Sequence, residues 1–196
     1  MPFVRMDTTP KAPERLIVLA WGLPQEGKTT FALSFPEPIY LLNMDMGAEE
    51  FAPKFPGKEI WESKILVPEE FTLAGYKPVV EAFKRDYLEA CEAAAKRGGT
   101  LVVDTASQMW QIISQYKVEA AREERRQEAA KKGRNPDSVK SMQTDYADAN
   151  LLMGGLARRV HQYPGLNAVF IDRASEREII TGARAVAITD PARHPG

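Results

Sequence analysis

A glycine-rich loop directly follows the first apolar run of the chain, and this combination limits the fold more than any other feature. Residues 16–21 read Leu-Ile-Val-Leu-Ala-Trp, and residues 22–29 read Gly-Leu-Pro-Gln-Glu-Gly-Lys-Thr. The second run fits G-x-x-x-x-G-K-[ST] at every specified position. Glycines at both ends let the backbone turn so that N–H groups converge on an anion without Cβ clashes. A strand, this loop and a helix in that order predict a phosphate-binding P-loop.

The loop supplies most of the candidate nucleotide-binding residues. We expect Lys28 to bring a positive charge to the β- and γ-phosphates and Thr29 to offer its hydroxyl to Mg²⁺, so ATP and Mg²⁺ are the predicted cofactors. A surface glycine turn without a ligand is the alternative. The predicted nucleotide-binding set is Gly22, Pro24, Gln25, Glu26, Gly27, Lys28, Thr29 and Thr30.

Composition and charge narrow the class of protein. A chain of 196 residues with 44% hydrophobic residues suits one α/β domain with a buried sheet, and a net charge of -1 excludes a global field that would attract polyanions. The single cysteine, Cys91, lies in a helical pattern and predicts a buried thiol in a reducing compartment. Without an apolar leader or a membrane-length run, we expect a soluble cytoplasmic protein.

Strand-like and helix-like segments alternate along the chain. Residues 1–14 contain three prolines and read as an extended leader, with one domain over residues 15–196. This alternation predicts an α/β fold with a mostly parallel sheet and helices on both faces. Strands are predicted at 16–21, 38–43, 100–104 and 168–172 with an edge strand near 59–61, and helices after the P-loop, at 77–97, from 109 and from 144 to 163.

Residues 101–104, Leu-Val-Val-Asp, are an apolar strand that ends in a carboxylate. Asp104 at the mouth of a P-loop would hold Mg²⁺ through its water shell, as a Walker B residue does. The alternative is that Asp104 only caps the following helix. Because it follows a complete P-loop, we predict the metal-binding role, shared with Thr29.

Hydrolysis of ATP also requires a group that orients a water in line with the γ-phosphate. Asp45 follows the strand at 38–43, and the end of a neighbouring strand can reach that position. Glu49 and Glu50 lie in the same acidic loop and are the other candidates, while a solvated loop is the alternative for all three. The predicted catalytic residues are therefore Lys28, Asp45 and Asp104.

Several blocks, taken in order, carry a family likeness. Residues 15–30, 41–47 (Leu-Leu-Asn-Met-Asp-Met-Gly), 101–107, 143–150 and 169–172 resemble blocks of the RecA-like phage ATPases of the Sak single-strand-annealing group. The likeness covers roughly residues 15–175. It implies a RecA-like P-loop NTPase core and an ATPase in phage-type DNA recombination or single-strand annealing. Single-stranded DNA, a single-strand-binding protein, homo-oligomerisation and the host cytoplasm are implied with it.

The chain departs from the family at three points. Asp45 falls where RecA-like ATPases typically carry a catalytic Glu. The polar sensor residue after the fourth strand falls near Asp172 and Arg173, where Gln or His is more usual. Relatives continue with further strands beyond this point, so the C-terminal part is expected to be truncated or reduced.

The same resemblance places a DNA-facing segment after the Walker B helix. Residues 117–140 hold eight Lys and Arg against five Asp and Glu, and no aromatic residue for base stacking. A solvated helix is the alternative, since Glu128 and Lys132 form a favourable i,i+4 pair. The candidate phosphate-facing residues are Arg122, Arg125, Arg126, Lys131, Lys132 and Arg134.

Two other functions remain open on the sequence. A nucleotide or small-molecule kinase uses the same P-loop with an Arg-rich lid, which residues 122–134 could mimic. A nucleotide-binding assembly protein without turnover needs only the P-loop. The strand-end Asp104 followed by Thr-Ala-Ser favours the RecA-like motor.

Overall fold

A computed structural model describes residues 15–174, which form one five-stranded sheet. All strand pairings are parallel, with the order β1-β5-β4-β2-β3. This arrangement confirms the predicted α/β class and the predicted edge strand. The strands are β1 (Ile17–Gly22), β2 (Ile39–Asn43), β3 (Ile60–Lys64), β4 (Thr100–Asp104) and β5 (Asn167–Arg173).

The helices occupy the connections that the sequence pattern predicts, with some shifted ends. The second helix begins four residues earlier than predicted because the Thr72 side chain accepts a hydrogen bond from the N–H of Gly75 and caps it. It ends at Arg97 and is followed by the C-cap Gly98, whose left-handed φ of 69° suits glycine. The helices are α1 (Lys28–Leu33), α2 (Leu73–Arg97), α3 (Ala106–Lys131) and α4 (Tyr146–Arg159).

Two apolar layers cover most of the sheet, although Ile17 and Leu19 of the edge strand β1 are exposed. Helices α2, α3 and α4 cover one face, where Phe83 and Tyr87 are almost fully buried, and α1 covers the other. Alternate strand residues point to opposite faces. Leu101 and Val103 of β4 therefore enter the first layer, and Val102 enters the second. Cys91 is buried in the first layer, as predicted, and burial raises the pKa of its thiol to about 12.

Parallel strands bring their C-terminal ends to one edge of the sheet, where ligands of such folds bind. Gly22 is level with Arg173 at this edge, and Asn43 is level with Asp104. The residues predicted to carry chemistry therefore meet at one place. Within residues 15–174, no helix combines the length and apolar character needed to cross a membrane.

Candidate functional site

The P-loop joins β1 to α1 and curls around the side chain of Lys28. Gln25 and Gly27 have left-handed φ values of 66° and 80°, a conformation that tightens the turn. The ammonium group of Lys28 donates to the carbonyl oxygens of Gly22, at 2.9 Å, and Leu23, at 2.5 Å. These are neutral acceptors in the lysine's own loop, so an anionic phosphate would be a stronger partner.

Thr29 and Asp104 meet at the start of α1. The Thr29 hydroxyl donates a 2.8 Å hydrogen bond to Oδ2 of Asp104, which is only 3% exposed. Asp104 ends β4, and the N–H of Met44 donates to its carbonyl oxygen at 2.6 Å. Asp104 is not the residue that caps the following helix. Thr105 caps α3, because its hydroxyl accepts a hydrogen bond from the N–H of Gln108.

Asp45 lies on the loop after β2, and buried Asn43 fixes the start of that loop. The Asn43 side chain accepts from the N–H of Met46 at 2.9 Å and donates to Glu62 on the neighbouring strand at 2.6 Å. The carboxylate of Asp45 forms an ion pair with Arg173. The loop conformation therefore directs Asp45 across the strand ends toward the P-loop.

Arg173 ends β5, the strand between the P-loop strand and the strand of Asp104. It is level with Gly22, and the N–H of Ala174 donates to the Gly22 carbonyl oxygen at 3.1 Å. Asp172 instead accepts a hydrogen bond from the backbone N–H of Arg173. Of the two residues at the predicted sensor position, Arg173 is the one that faces the site.

These side chains line a cavity of about 600 Å³, within the usual size range of small-molecule sites. Of the predicted nucleotide-binding set, Gly22 and Glu26 are absent from the lining. Glu26 turns back and accepts from the N–H of Leu23 at 2.7 Å. The lining includes Pro24, Gln25, Gly27, Lys28, Thr29, Thr30, Asp45, Glu50, Asp104 and Arg173.

The donor set fits a nucleoside triphosphate with Mg²⁺. Mg²⁺ keeps several waters and takes one or two protein ligands together with substrate phosphates, a requirement that one hydroxyl and one carboxylate satisfy. In residues 15–174 no three His, Cys, Asp or Glu side chains are grouped to hold a metal by themselves. Thr29 and Asp104 would therefore hold the ion jointly with the phosphates, while Lys28 would bind the phosphates themselves.

Burial shifts the pKa values of Asp104 and Lys28, and charges of neighbouring groups partly oppose both shifts. Burial raises the pKa of the Asp104 carboxyl, and the hydrogen bond from Thr29 and the charges of Arg173 and Lys28 partly offset that rise. Burial also lowers the pKa of Lys28, against the raising effect of Glu26 and Asp104. A bound cation beside Asp104 would favour its ionised form.

The loop after Asp45 adds residues that the sequence patterns did not single out. Phe51 and Lys54 line the cavity, and the Lys54 ammonium lies 4.8 Å from the centre of the Phe51 ring. Glu50 also lines the cavity, whereas Glu49 is paired with Lys64 of β3. Neither Phe51 nor Lys54 carries a sequence signal, since short 3₁₀ turns bring them to the site.

The basic segment on α3 is largely paired within the protein. Both terminal nitrogens of Arg125 donate to the buried carboxylate of Asp145, at 2.7 and 2.6 Å, and one also donates to the Lys140 carbonyl oxygen. The expectation that Arg125 faces a phosphate backbone is therefore wrong, because Arg125 anchors the loop before α4. Further pairs join Arg122 to Glu119, Arg126 to Glu123 and Lys132 to Glu128.

The predicted pair between Glu128 and Lys132 is confirmed. Lys131 and Arg134 are exposed and have no carboxylate partner within residues 15–174. None of the cavity-lining residues belongs to the basic stretch of α3. Residues 122–134 therefore do not form over this cavity the arginine-rich lid that a kinase would require.

Comparison with known proteins adds one family. A family model described as an AAA domain matches residues 14–190, which is most of the chain. No curated protein matches the chain. The family match agrees with the parallel sheet, the P-loop and the strand-end carboxylate described above.

Proposed function

The chain belongs to the AAA domain family, whose P-loop domains bind ATP with Mg²⁺, and we propose that it is a RecA-like ATPase acting on single-stranded DNA. The proposed process is phage-type recombination or strand annealing in the host cytoplasm, by a homo-oligomer beside a single-strand-binding protein. One observation carries the nucleotide part of the proposal. The P-loop hydroxyl of Thr29 and the strand-end carboxylate of Asp104 meet at the cavity that holds Lys28.

The charged side chains divide the chemistry of hydrolysis among them. Lys28 neutralises the β- and γ-phosphates, and Thr29 and Asp104 hold Mg²⁺. Asp45 orients the attacking water. The water oxygen bonds to the γ-phosphorus while the bond from that phosphorus to the bridging oxygen breaks, and its electron pair leaves on ADP. The proton that the water gives up passes through Asp45 to the released phosphate.

Support for a nucleic-acid partner comes from the order of the sequence blocks and from one surface feature. Trp110 of α3 and Tyr146 of α4 stack with ring centres 6.3 Å apart and planes inclined by 16°. Each is 36% exposed, and the Trp110 indole N–H donates to Asn150 at 3.0 Å. Exposed aromatic rings offer the base stacking that the segment 117–140 lacks.

The deciding experiment measures phosphate release with Mg²⁺, with and without single-stranded DNA, and with nucleoside acceptors. We expect slow phosphate release that single-stranded DNA accelerates, and we expect no phosphorylated acceptor. Phosphorylation of an acceptor would favour the kinase. Tight ATP binding without release under any of these conditions would favour a nucleotide-binding assembly protein.

The aromatic pair provides a separate test of the DNA part. Trp110→Ala should weaken binding of a single-stranded oligonucleotide by about 1–3 kcal/mol and leave ATP affinity unchanged, because Trp110 does not line the cavity. The matched control is Trp61→Ala, which removes an exposed tryptophan from β3. Equal oligonucleotide affinity in wild type and Trp110→Ala would remove this surface from the proposal.

A further inference from the structure

Arg173 and Asp45 join two loops at the mouth of the nucleotide cavity. Arg173 ends β5 beside the first glycine of the P-loop, and Asp45 approaches from the loop after β2. Their ion pair therefore spans the end of β4, where Asp104 lies. Both side chains line the cavity together with Lys28 and Thr29.

In this arrangement the predicted water-orienting carboxylate already has a partner. An Asp45 oxygen that accepts from Arg173 has less capacity to accept from a water. The Arg173 side chain is 48% exposed and that of Asp45 is 30% exposed. Ion pairs this accessible to solvent are weak, so a stronger anion at the same place can compete for the guanidinium.

A terminal phosphate is such an anion. It carries about two negative charges near neutral pH, and its oxygens match the planar fork of a guanidinium. Lys28 places the β- and γ-phosphates in the cavity that Arg173 also lines. A nucleoside diphosphate lacks the group that would reach Arg173.

We propose that Arg173 exchanges partners when ATP binds, leaving Asp45 for the γ-phosphate, and that Asp45 is thereby freed to orient the attacking water. This inference rests on the proposed ATPase function. Arg173 then acts as a catalytic residue that contacts the γ-phosphate. With ADP, or with no nucleotide, the ion pair keeps Asp45 inactive.

The first test compares affinities for ADP and for a non-hydrolysable ATP analogue, both with Mg²⁺. Arg173→Ala should bind the ATP analogue about tenfold more weakly and bind ADP as the wild type does. Arg173→Lys keeps the positive charge but loses the planar guanidinium. Its affinity for the ATP analogue should lie between those of the wild type and Arg173→Ala. Arg97→Ala is the matched control, since Arg97 pairs with Glu59 outside the cavity.

The second test separates partner exchange from simple repulsion between Asp45 and phosphate. Asp45→Asn should raise affinity for the ATP analogue several-fold, because Arg173 no longer has to leave a carboxylate. In the Arg173→Ala background, Asp45→Asn should raise the affinity for the ATP analogue less, because it then relieves only the repulsion between Asp45 and the phosphate. An equal gain in both backgrounds would overturn the exchange.

The outcomes distinguish this inference from the proposed function. Failure of the wild type and the Arg97→Ala control to bind either nucleotide would reject both. Normal wild-type binding with an unchanged ratio of ATP-analogue to ADP affinity in Arg173→Ala and Arg173→Lys would reject the role of Arg173 alone. Circular dichroism of each variant checks that the sheet is intact.

Discussion

The hydroxyl of Thr29 donates a 2.8 Å hydrogen bond to Oδ2 of Asp104, although the two residues are 75 positions apart in the sequence. One lies at the start of α1 and the other at the end of β4, with β5 between β4 and the P-loop strand. Both side chains are of the kinds that hold Mg²⁺ beside a triphosphate. The contact brings Asp104 to the cavity that Lys28 and Asp45 also line, so the role of each charged residue can be tested by its own substitution.

Lys28→Ala should abolish turnover and weaken ATP binding about 10- to 100-fold, because a charge-assisted contact to phosphate is lost. The fold should survive, since the Lys28 ammonium contacts only carbonyl oxygens of its own loop. Calorimetric titration with ATP and circular dichroism measure the two effects. Lys84→Ala, an exposed lysine on α2, is the control. Wild-type ATP affinity in a folded Lys28→Ala variant would contradict the P-loop assignment.

Asp104→Asn should remove the part of nucleotide binding that depends on Mg²⁺. The amide oxygen can still accept from Thr29, so the local packing is kept while the charge that attracts the ion is lost. ATP affinity measured with Mg²⁺ and with a chelator gives the comparison. If affinity fell equally in both conditions, Asp104 would be a structural residue.

Asp45→Asn should lower kcat about 100-fold or more, because general-base and water-positioning groups act mainly in the transition state. Steady-state phosphate release measures this effect, independently of the affinity changes expected above. Glu50→Gln is the control, since Glu50 lines the same cavity. A wild-type kcat for Asp45→Asn together with a low one for Glu50→Gln would transfer the role to Glu50.

Asp145→Asn should reduce the free energy of unfolding at neutral pH by about 1–2 kcal/mol, because hydrogen bonds between Arg125 and a carboxylate are lost. The hydrogen bond from Arg125 holds the pKa of Asp145 below its ordinary value of 3.8. A carboxyl with a lowered folded-state pKa stabilises the protein above the ordinary value, and this contribution is lost as pH falls through the folded-state value.

The measurement is denaturant unfolding of wild type and variant from pH 7 to pH 3. The difference should stay constant down to about pH 5 and shrink below pH 4. Asp148→Asn, in the exposed first turn of α4, is the control and should change stability little. A difference between wild type and Asp145→Asn that does not depend on pH would contradict the ion-pair explanation.

The segment 117–140 allows a narrower DNA test than its composition suggests. Lys131→Ala/Arg134→Ala removes two exposed cations without a carboxylate partner in the described structure. If both contact phosphates, the slope of log affinity against log salt should flatten by roughly 0.7 per contact, with no change in sequence preference. Lys77→Ala/Lys84→Ala on α2 is the matched control. Identical slopes for wild type and Lys131→Ala/Arg134→Ala would leave this segment a solvated helix.

The sequence by itself determined the P-loop, the parallel α/β class and the strand that ends at Asp104. These features depend on local physics: glycines at fixed spacing, apolar runs of strand length and the alternation of strands with helices. The edge strand β3 was also predicted, near residues 59–61, although the structure extends it to Lys64. The roles of Lys28 and Thr29 follow from the motif and remain predictions.

Only the tertiary structure decided which charged residues face the cavity and which stabilise the fold. Nothing in the local sequence shows that Arg125 pairs with a buried aspartate outside the cavity or that Arg173 lines the cavity and pairs with Asp45. The difference arises because strand order and helix packing bring residues far apart in the chain together. Local sequence patterns depend on side-chain type and spacing, whereas long-range packing determines which carboxylate, such as Asp145 or Asp45, pairs with a given arginine.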